Sequence, residues 1–124
     1  MQIRGSPNII LWNEDKILEV EKKYFLKLVN FCKEKSIELI VITTPVPQET
    51  LELYSQTFER AHEYYNKMME KHRVPFYDFN FIKLNGFNRS IKGYLDYEGH
   101  MSGELGNEFS KRLGDFLQSK RTYE

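Results

Sequence analysis

The chain has 124 residues, of which 18 are basic and 18 are acidic, with a single cysteine. A chain of this length suits one hydrophobic core, so residues 1–124 are predicted to form a single domain. The balanced charge disfavours nucleic acid and anionic membrane surfaces as partners, and one cysteine excludes a disulfide within the chain. No run approaches the roughly 20 apolar residues of a membrane span, and no secretory signal pattern opens the sequence, so we expect a soluble chain of undetermined compartment.

The first quarter of the chain predicts an irregular segment followed by a helix. Residues 1–8 contain Gly and Pro without a hydrophobic period, and residues 9–12 suit a short strand or a staple onto the sheet. Asn13 precedes two acidic residues, the pattern of an N-cap and the first turn of a helix. We expect one broad apolar face of this helix to pack. Its members are Ile17, Val20, Tyr24, Leu28 and Phe31, widened by Leu18, Phe25, Val29 and Cys32.

Two short apolar segments predict the strands of a parallel sheet. Residues 39–43 show no polar alternation, which favours a parallel strand covered on both faces, and Pro45 and Pro47 end it. Residues 48–71 predict one helix that leads, by a right-handed crossover, to a second strand at 74–79. The long turn-rich loop at 80–93 favours a binding role. A final helix is marked by Leu105, Phe109, Leu113, Phe116 and Leu117.

Asp96, Glu98 and His100 lie between the second strand and the final helix. In open α/β sheets, ligands and catalytic groups collect at the carboxyl ends of the strands. A histidine with a carboxylate four residues earlier can accept a proton while the carboxylate fixes its tautomer. His100 and Asp96 are therefore the candidate catalytic pair, with Glu98 as the alternative partner. The competing interpretation is that His100 only caps or packs on the final helix.

The same stretch resembles the last sequence block of the SGNH (GDSL-like) hydrolases and acyltransferases, particularly their bacterial cell-envelope branches. That block typically reads Asp-x-x-His-Leu-Asn-x-x-Gly-Ala-x-x-Phe-Ser. This chain has His100-Met101-Ser102 and Gly106-x-x-Phe109-Ser110 in the same register. Its acid lies four residues before the histidine rather than three, and Leu105 replaces the usual Gly.

The resemblance implies a fold, a site and a substrate class. The fold is a partial flavodoxin-like (SGNH-type) three-layer α/β sandwich, with a short parallel sheet and about three helices. The site is catalytic His100 with Asp96, without a cofactor or a metal. The implied substrate is an acyl or carbohydrate ester, which would make the chain part of an ester hydrolase or O-acyltransferase.

The family's nucleophilic Ser and its oxyanion Gly and Asn belong to blocks upstream of the matching one. We therefore expect this chain to correspond to a C-terminal half that is inactive alone, with a complementary N-terminal half as one partner. Ser6 follows a glycine but lacks the preceding strand that a nucleophile elbow needs. Two strands are also too narrow to cover three amphipathic helices, which predicts a homodimer.

Two other interpretations remain open. The chain could be a non-catalytic α/β interaction or assembly module. A flavodoxin-type small-molecule domain is the least favoured, because no phosphate-cradling glycine-rich loop follows either strand. Among the other polar residues, the strand-end Asp78, Thr43 and Thr44 suit structural roles. His62 and His72 suit solvated positions, and no two histidines or cysteines have the spacing of metal ligands.

Overall fold

A computed structural model describes residues 5–122 of the chain. Within that range the fold is α/β, with four α-helices and a two-stranded parallel sheet in which Ile42 lies opposite Tyr77. The α/β class and the short parallel sheet are thus confirmed. The elements are α1 (Glu19–Glu34), β1 (Val41–Thr43), α2 (Gln48–Leu53), α3 (Ser55–Lys71), β2 (Phe76–Asp78) and α4 (Gly103–Thr122), with 3₁₀ turns at Glu14–Lys16 and Ile91–Gly93.

Helices cover both faces of the sheet. Side chains alternate between the two faces along a strand, so Val41 and Phe76 point to one side while Ile42 and Tyr77 point to the other. On the first side they join a core of Val29, Met69 and Val74, which α1 and α3 help to form. On the second side the core is Phe79, Leu84 and Phe109, the last of these from α4. Both faces of β1 are covered, as its lack of polar alternation predicted.

Two predicted helix boundaries are wrong. The Asn13 side chain accepts a hydrogen bond from the Asp15 amide, but this caps the 3₁₀ turn, and α1 begins only at Glu19. The single helix predicted for 48–71 is two helices that meet at Tyr54. Its backbone angles, φ −122° and ψ 35°, depart from helical values, and its hydroxyl donates to the carbonyl of Pro7 at 2.8 Å. The fourth helix arises from this break.

The apolar face of α1 is only partly buried. Val29 and Cys32 are buried and Phe25 packs beside them, so these three form the face that meets the core. The stripe predicted to pack with them instead lies on the adjacent flank of the helix, because helical residues advance by about 100° each, and it is largely exposed. Its exposed members are Val20 at 50%, Tyr24 at 63%, Leu28 at 48% and Phe31 at 50%.

The N-terminal segment packs on a helix and not on the sheet. Residues 5–12 form no strand, and Ile10 is 92% exposed. Trp12 lies against Tyr64 and Tyr65 of α3, and its indole N–H donates to the Tyr65 hydroxyl at 3.1 Å. The predicted strand or staple onto the sheet is therefore wrong, because this segment packs on α3. The part of the irregular segment at residues 1–4 lies outside the described residues.

Candidate active-site loop

The loop that carries Asp96 and His100 is closed by backbone hydrogen bonds. Tyr94 and Met101 form an antiparallel bridge, and the Leu95 amide donates to the His100 carbonyl at 2.7 Å. Immediately afterwards the Ser102 hydroxyl accepts a hydrogen bond from the Leu105 amide, which is the bonding pattern of a helix N-cap. The loop therefore has a fixed shape between its bridge and the start of α4.

Two buried hydroxyl groups fix this loop beside the carboxyl end of β1. Tyr94 is fully buried and donates to the Pro45 carbonyl at 2.8 Å, and burial raises the pKa of Tyr94 to about 12. Thr50, on α2 and 2% exposed, donates to the Tyr97 carbonyl at 2.7 Å. The candidate pair thus lies at the edge of the sheet where ligands collect in α/β folds.

The Asp96 carboxylate accepts hydrogen bonds on both oxygens. Its Oδ1 accepts from the amides of Glu98, Gly99 and His100 at 2.9, 3.1 and 3.1 Å. Its Oδ2 lies 2.5 Å from Nδ1 of His100. Burial by itself would raise the pKa of Asp96, but the hydrogen bonds from the His100 amide, the His100 imidazole and the Glu98 amide outweigh it and lower the pKa. Asp96 is therefore an ionised acceptor at neutral pH.

Gly99 explains how a four-residue spacing still brings the acid to the histidine. Its φ of +111° is a conformation that residues with a side chain rarely adopt. A Cβ at this position would also lie 3.4 Å from the Val46 side chain. The glycine thus allows the turn that brings Asp96 and His100 together across a four-residue spacing.

His100 presents its ring to solvent. The side chain is 71% exposed, and among the described residues Asp96 is the only hydrogen-bond partner of the imidazole. With an ionised Asp96 on Nδ1, the neutral ring carries its proton there and leaves the Nε2 lone pair as an acceptor. Nε2 can therefore take a proton from a group that is brought to the loop from outside.

The two other candidates in this region do not join the pair. Glu98 is exposed and reaches Asp96 only through its backbone amide, so the alternative pairing with His100 is wrong in this structure. Ser6 is exposed, and its hydroxyl accepts a hydrogen bond from the Asn8 amide. Within residues 5–122, no serine, threonine or cysteine side chain forms a hydrogen bond with His100.

A second histidine–carboxylate pair lies at the end of β2. Asp78 is buried; its Oδ2 lies 3.0 Å from Nδ1 of His62, and its Oδ1 accepts from the Asn80 amide at 3.0 Å. The backbone bond agrees with the structural role predicted for Asp78. The solvated position predicted for His62 is wrong, since its ring is partly buried and lies 4.9 Å from that of Phe81.

His62 could have been placed from its spacing on α3. It falls on the same helical stripe as Phe58, Tyr65 and Met69, the inner face of the helix. His72 is also half-buried rather than solvated, and its ring lies 6.3 Å from that of Phe25 in α1. No local spacing, however, connects His62 with a partner 16 residues away in the next strand.

Arg89 clamps the carboxyl ends of the two strands together. Its guanidinium donates to the carbonyls of Val46, Phe79 and Asn80 and to the Asn80 side chain, at 2.6 to 3.2 Å. Asn80 Oδ1 in turn accepts from the Val46 amide at 3.0 Å. Burial lowers the pKa of Arg89. The sequence offers no spacing signal for this clamp, because nearly all its acceptors are backbone atoms.

Residues 5–122 contain neither a candidate metal site nor a membrane-spanning helix. No group of three or more histidine, cysteine, aspartate or glutamate side chains in this range could hold a metal ion. None of the described helices is long and apolar enough to cross a membrane.

Comparison with protein-family models, with curated proteins and with solved structures yields no match.

Proposed function

We propose that this chain supplies the histidine–aspartate pair of an SGNH-like ester hydrolase or O-acyltransferase, with the serine nucleophile supplied by a complementary polypeptide. One observation carries the proposal: an ionised Asp96, held by three amides, lies 2.5 Å from Nδ1 of a largely exposed His100 at the carboxyl end of the sheet. The resemblance of the same residues to the family's last block supports it, and its cell-envelope branches suggest an acyl ester on a carbohydrate as substrate.

The chemistry follows from the direction in which His100 presents its nitrogens. As the serine Oγ of the partner attacks the ester carbonyl carbon, its proton passes to Nε2, and Asp96 stabilises the imidazolium through Nδ1. The imidazolium then protonates the departing alkoxide and leaves an acyl-serine. In the second half of the reaction, Nε2 takes a proton from water, or from the hydroxyl of an acceptor sugar, as that oxygen attacks the acyl-serine carbonyl carbon. The imidazolium then returns the proton to the departing serine Oγ, and the acyl group leaves on the new oxygen. Oxyanion donors would have to come from the partner as well.

The proposal is tested by reconstitution. Alone, the chain should hydrolyse short-chain aryl esters no faster than its His100→Ala variant, because the described residues place no nucleophile beside the histidine. The polypeptide encoded immediately upstream should restore hydrolysis when the two are mixed, and Asp96→Asn should lower the restored rate by about 10²–10⁴-fold. Glu98→Gln is the matched control in the same loop and should keep the restored rate. A rate in the mixture that is indifferent to His100 would overturn the proposal.

An assembly module is the second candidate function, and two uncovered surfaces favour it. The first is the exposed stripe of α1. The second is the outer edge of β1, where Ile42 has no backbone partner among residues 5–122. Val41 donates to Pro75 and Thr43 accepts from Phe79, so by the alternation of a parallel ladder the N–H and C=O of Ile42 point away from β2. An open strand edge and an exposed apolar stripe each suit the addition of a second chain.

Light scattering tests this second candidate. A homodimer through the α1 stripe should become a monomer when Tyr24 and Leu28 are both changed to Glu. Lys23→Glu changes the charge on another side of the same helix and should leave the dimer intact. A compact wild-type monomer at micromolar concentration would contradict self-assembly.

A further inference from the structure

A cavity of about 320 Å³ opens between α2 and the segment that follows β2. This volume lies at the lower end of the range for small-molecule sites. Its wall is mostly apolar and includes Leu51, Phe79, Phe81, Ile82, Leu84 and Phe87. Phe79 and Leu84 belong to the buried core beneath α4, so the floor of the cavity is part of the rigid fold.

The charged residues that line the cavity are both cations, Lys83 and Arg89, and no carboxylate is among the lining residues. Lys83 is exposed and forms no ion pair with any described residue. All five N–H groups of Arg89 go to neutral oxygens, so no carboxylate touches its charge. Asp78 acts on Arg89 only through space, because its own oxygens are bonded to His62 and Asn80.

We propose that this cavity binds an amphiphile with an apolar body and a carboxylate head, such as a medium-chain fatty acid. The apolar body would lie against the aromatic and aliphatic wall, where its burial is favourable. The head would lie at the mouth, where the Lys83 ammonium can donate to it and the positive field of Arg89 attracts it. Gln48 also lines the cavity, but its amide nitrogen already donates to Glu52 at 3.1 Å.

The proposal does not depend on the proposed ester chemistry. Pro45 lines the cavity and also accepts the hydrogen bond of Tyr94, so the cavity and the His100 loop share an anchor. They share no side chain that the binding argument uses. His100→Ala should therefore leave carboxylate binding unchanged, whatever it does to a reconstituted ester hydrolase.

Head-group specificity is measured first, by calorimetry and amide NMR below the micellar concentration. Decanoate, decanol and decylamine have the same chain and differ in charge. Decanoate should bind most tightly and decylamine most weakly, and the advantage of decanoate should shrink at high salt because screening weakens an exposed charge contact. Equal affinity for all three would overturn the proposed role of the two cations. Tightest binding of decylamine would also overturn it, because the cavity would then prefer a positive head group.

Site-directed variants then locate the binding. Leu51→Trp fills the cavity from α2 and should weaken decanoate binding by about tenfold or more, since it occupies the apolar volume. Leu53→Trp is its control on the same helix, at a residue that is 58% exposed and does not line the cavity. Lys83→Gln should weaken binding by about threefold at low salt without loss of the fold. Arg89 is left intact because it clamps the strands.

One pattern among the variants would overturn the proposal. If Leu28→Glu on the exposed α1 stripe abolishes binding while Leu51→Trp leaves it intact, decanoate binds the helix surface and not the cavity. Unfolding curves for each variant show that a loss of binding is not a loss of structure.

Discussion

The two histidine–carboxylate pairs found within residues 5–122 are built in opposite ways. In the β2 pair the acid, Asp78, is buried and the histidine arrives from a helix 16 residues earlier, so the tertiary fold makes the contact. In the loop pair, Asp96 and His100 are four residues apart, and three local amides hold the acid in place. A site can therefore be rigid for local reasons while its histidine stays open to solvent, whereas burial fixes a pair and limits its access to ligands.

The largest difference between the pairs should appear when each acid is removed. Asp78→Ala leaves the partly buried His62 ring and the buried Asn80 amide without an acceptor, and should cost about 3 kcal/mol of the free energy of unfolding. Asp96→Ala removes more hydrogen bonds, but the groups that lose them are near solvent and can bond to water instead. This substitution should therefore cost only about 1 kcal/mol of the free energy of unfolding. Urea unfolding curves measure both. Equal costs would mean that the loop pair is a structural element like the other.

Thr50 should matter to the loop more than its size suggests. Thr50→Val keeps the shape but leaves the Tyr97 carbonyl without its donor, at a cost of about 1–2 kcal/mol. Hydrogen exchange of the Glu98, Gly99 and His100 amides should become faster, because those amides depend on the loop staying closed. Thr44→Val, at an exposed threonine, is the matched control and should change neither quantity. Unchanged exchange in Thr50→Val would show that the loop needs no anchor on α2.

Two glycines should respond to alanine with opposite signs. Gly99→Ala forces a side chain into a φ of +111° beside Val46 and should destabilise the protein by about 1–2 kcal/mol. Gly114→Ala lies in α4 with nothing within 4 Å of the new Cβ, and should stabilise it by about 0.5–1 kcal/mol. Thermal melts compare the two. A neutral Gly99→Ala would contradict the role given to this glycine in the Asp96–His100 spacing.

The smallest expected effect is a loss of stability at acid pH that is caused by protonation of Asp96. The folded protein lowers the pKa of Asp96, so this group contributes stability above the ordinary aspartate pKa of about 3.9, and that contribution is lost as the pH falls through the lower folded value. Wild type should therefore lose more stability than Asp96→Asn below about pH 4. Parallel curves for the two proteins would mean that the amides do not stabilise the charged form.

Local patterns made the loop pair and the strands predictable from sequence, and long-range contacts made the rest unpredictable. The spacing of Asp96 and His100 is visible in the sequence, and so is the unbroken apolar run of β1. The His62–Asp78 contact and the Arg89 clamp join residues from separate elements, and neither has a periodic signal.

The α1 error has a different origin. Hydrophobic periodicity identified two adjacent stripes on this helix, but it could not tell which of them the narrow sheet would cover. The break at Tyr54 also has no signal in the local sequence, since it is associated with a hydrogen bond to Pro7, 47 residues earlier in the chain. Both errors concern the tertiary contacts that a helix makes, and not whether the segment is helical.

The Arg89 clamp has a consequence for how relatives of this chain should vary. Because the guanidinium is bonded to main-chain carbonyls at Val46 and Phe79, those positions can exchange side chains of similar shape without breaking it. Arg89 itself cannot become lysine, since an ammonium lacks the planar fork that spans both strand ends. Asn80 is constrained too, because its side chain accepts from the arginine and from the Val46 amide. An alignment of distant homologues should thus retain an arginine and an asparagine nine residues apart, while the neighbouring positions vary.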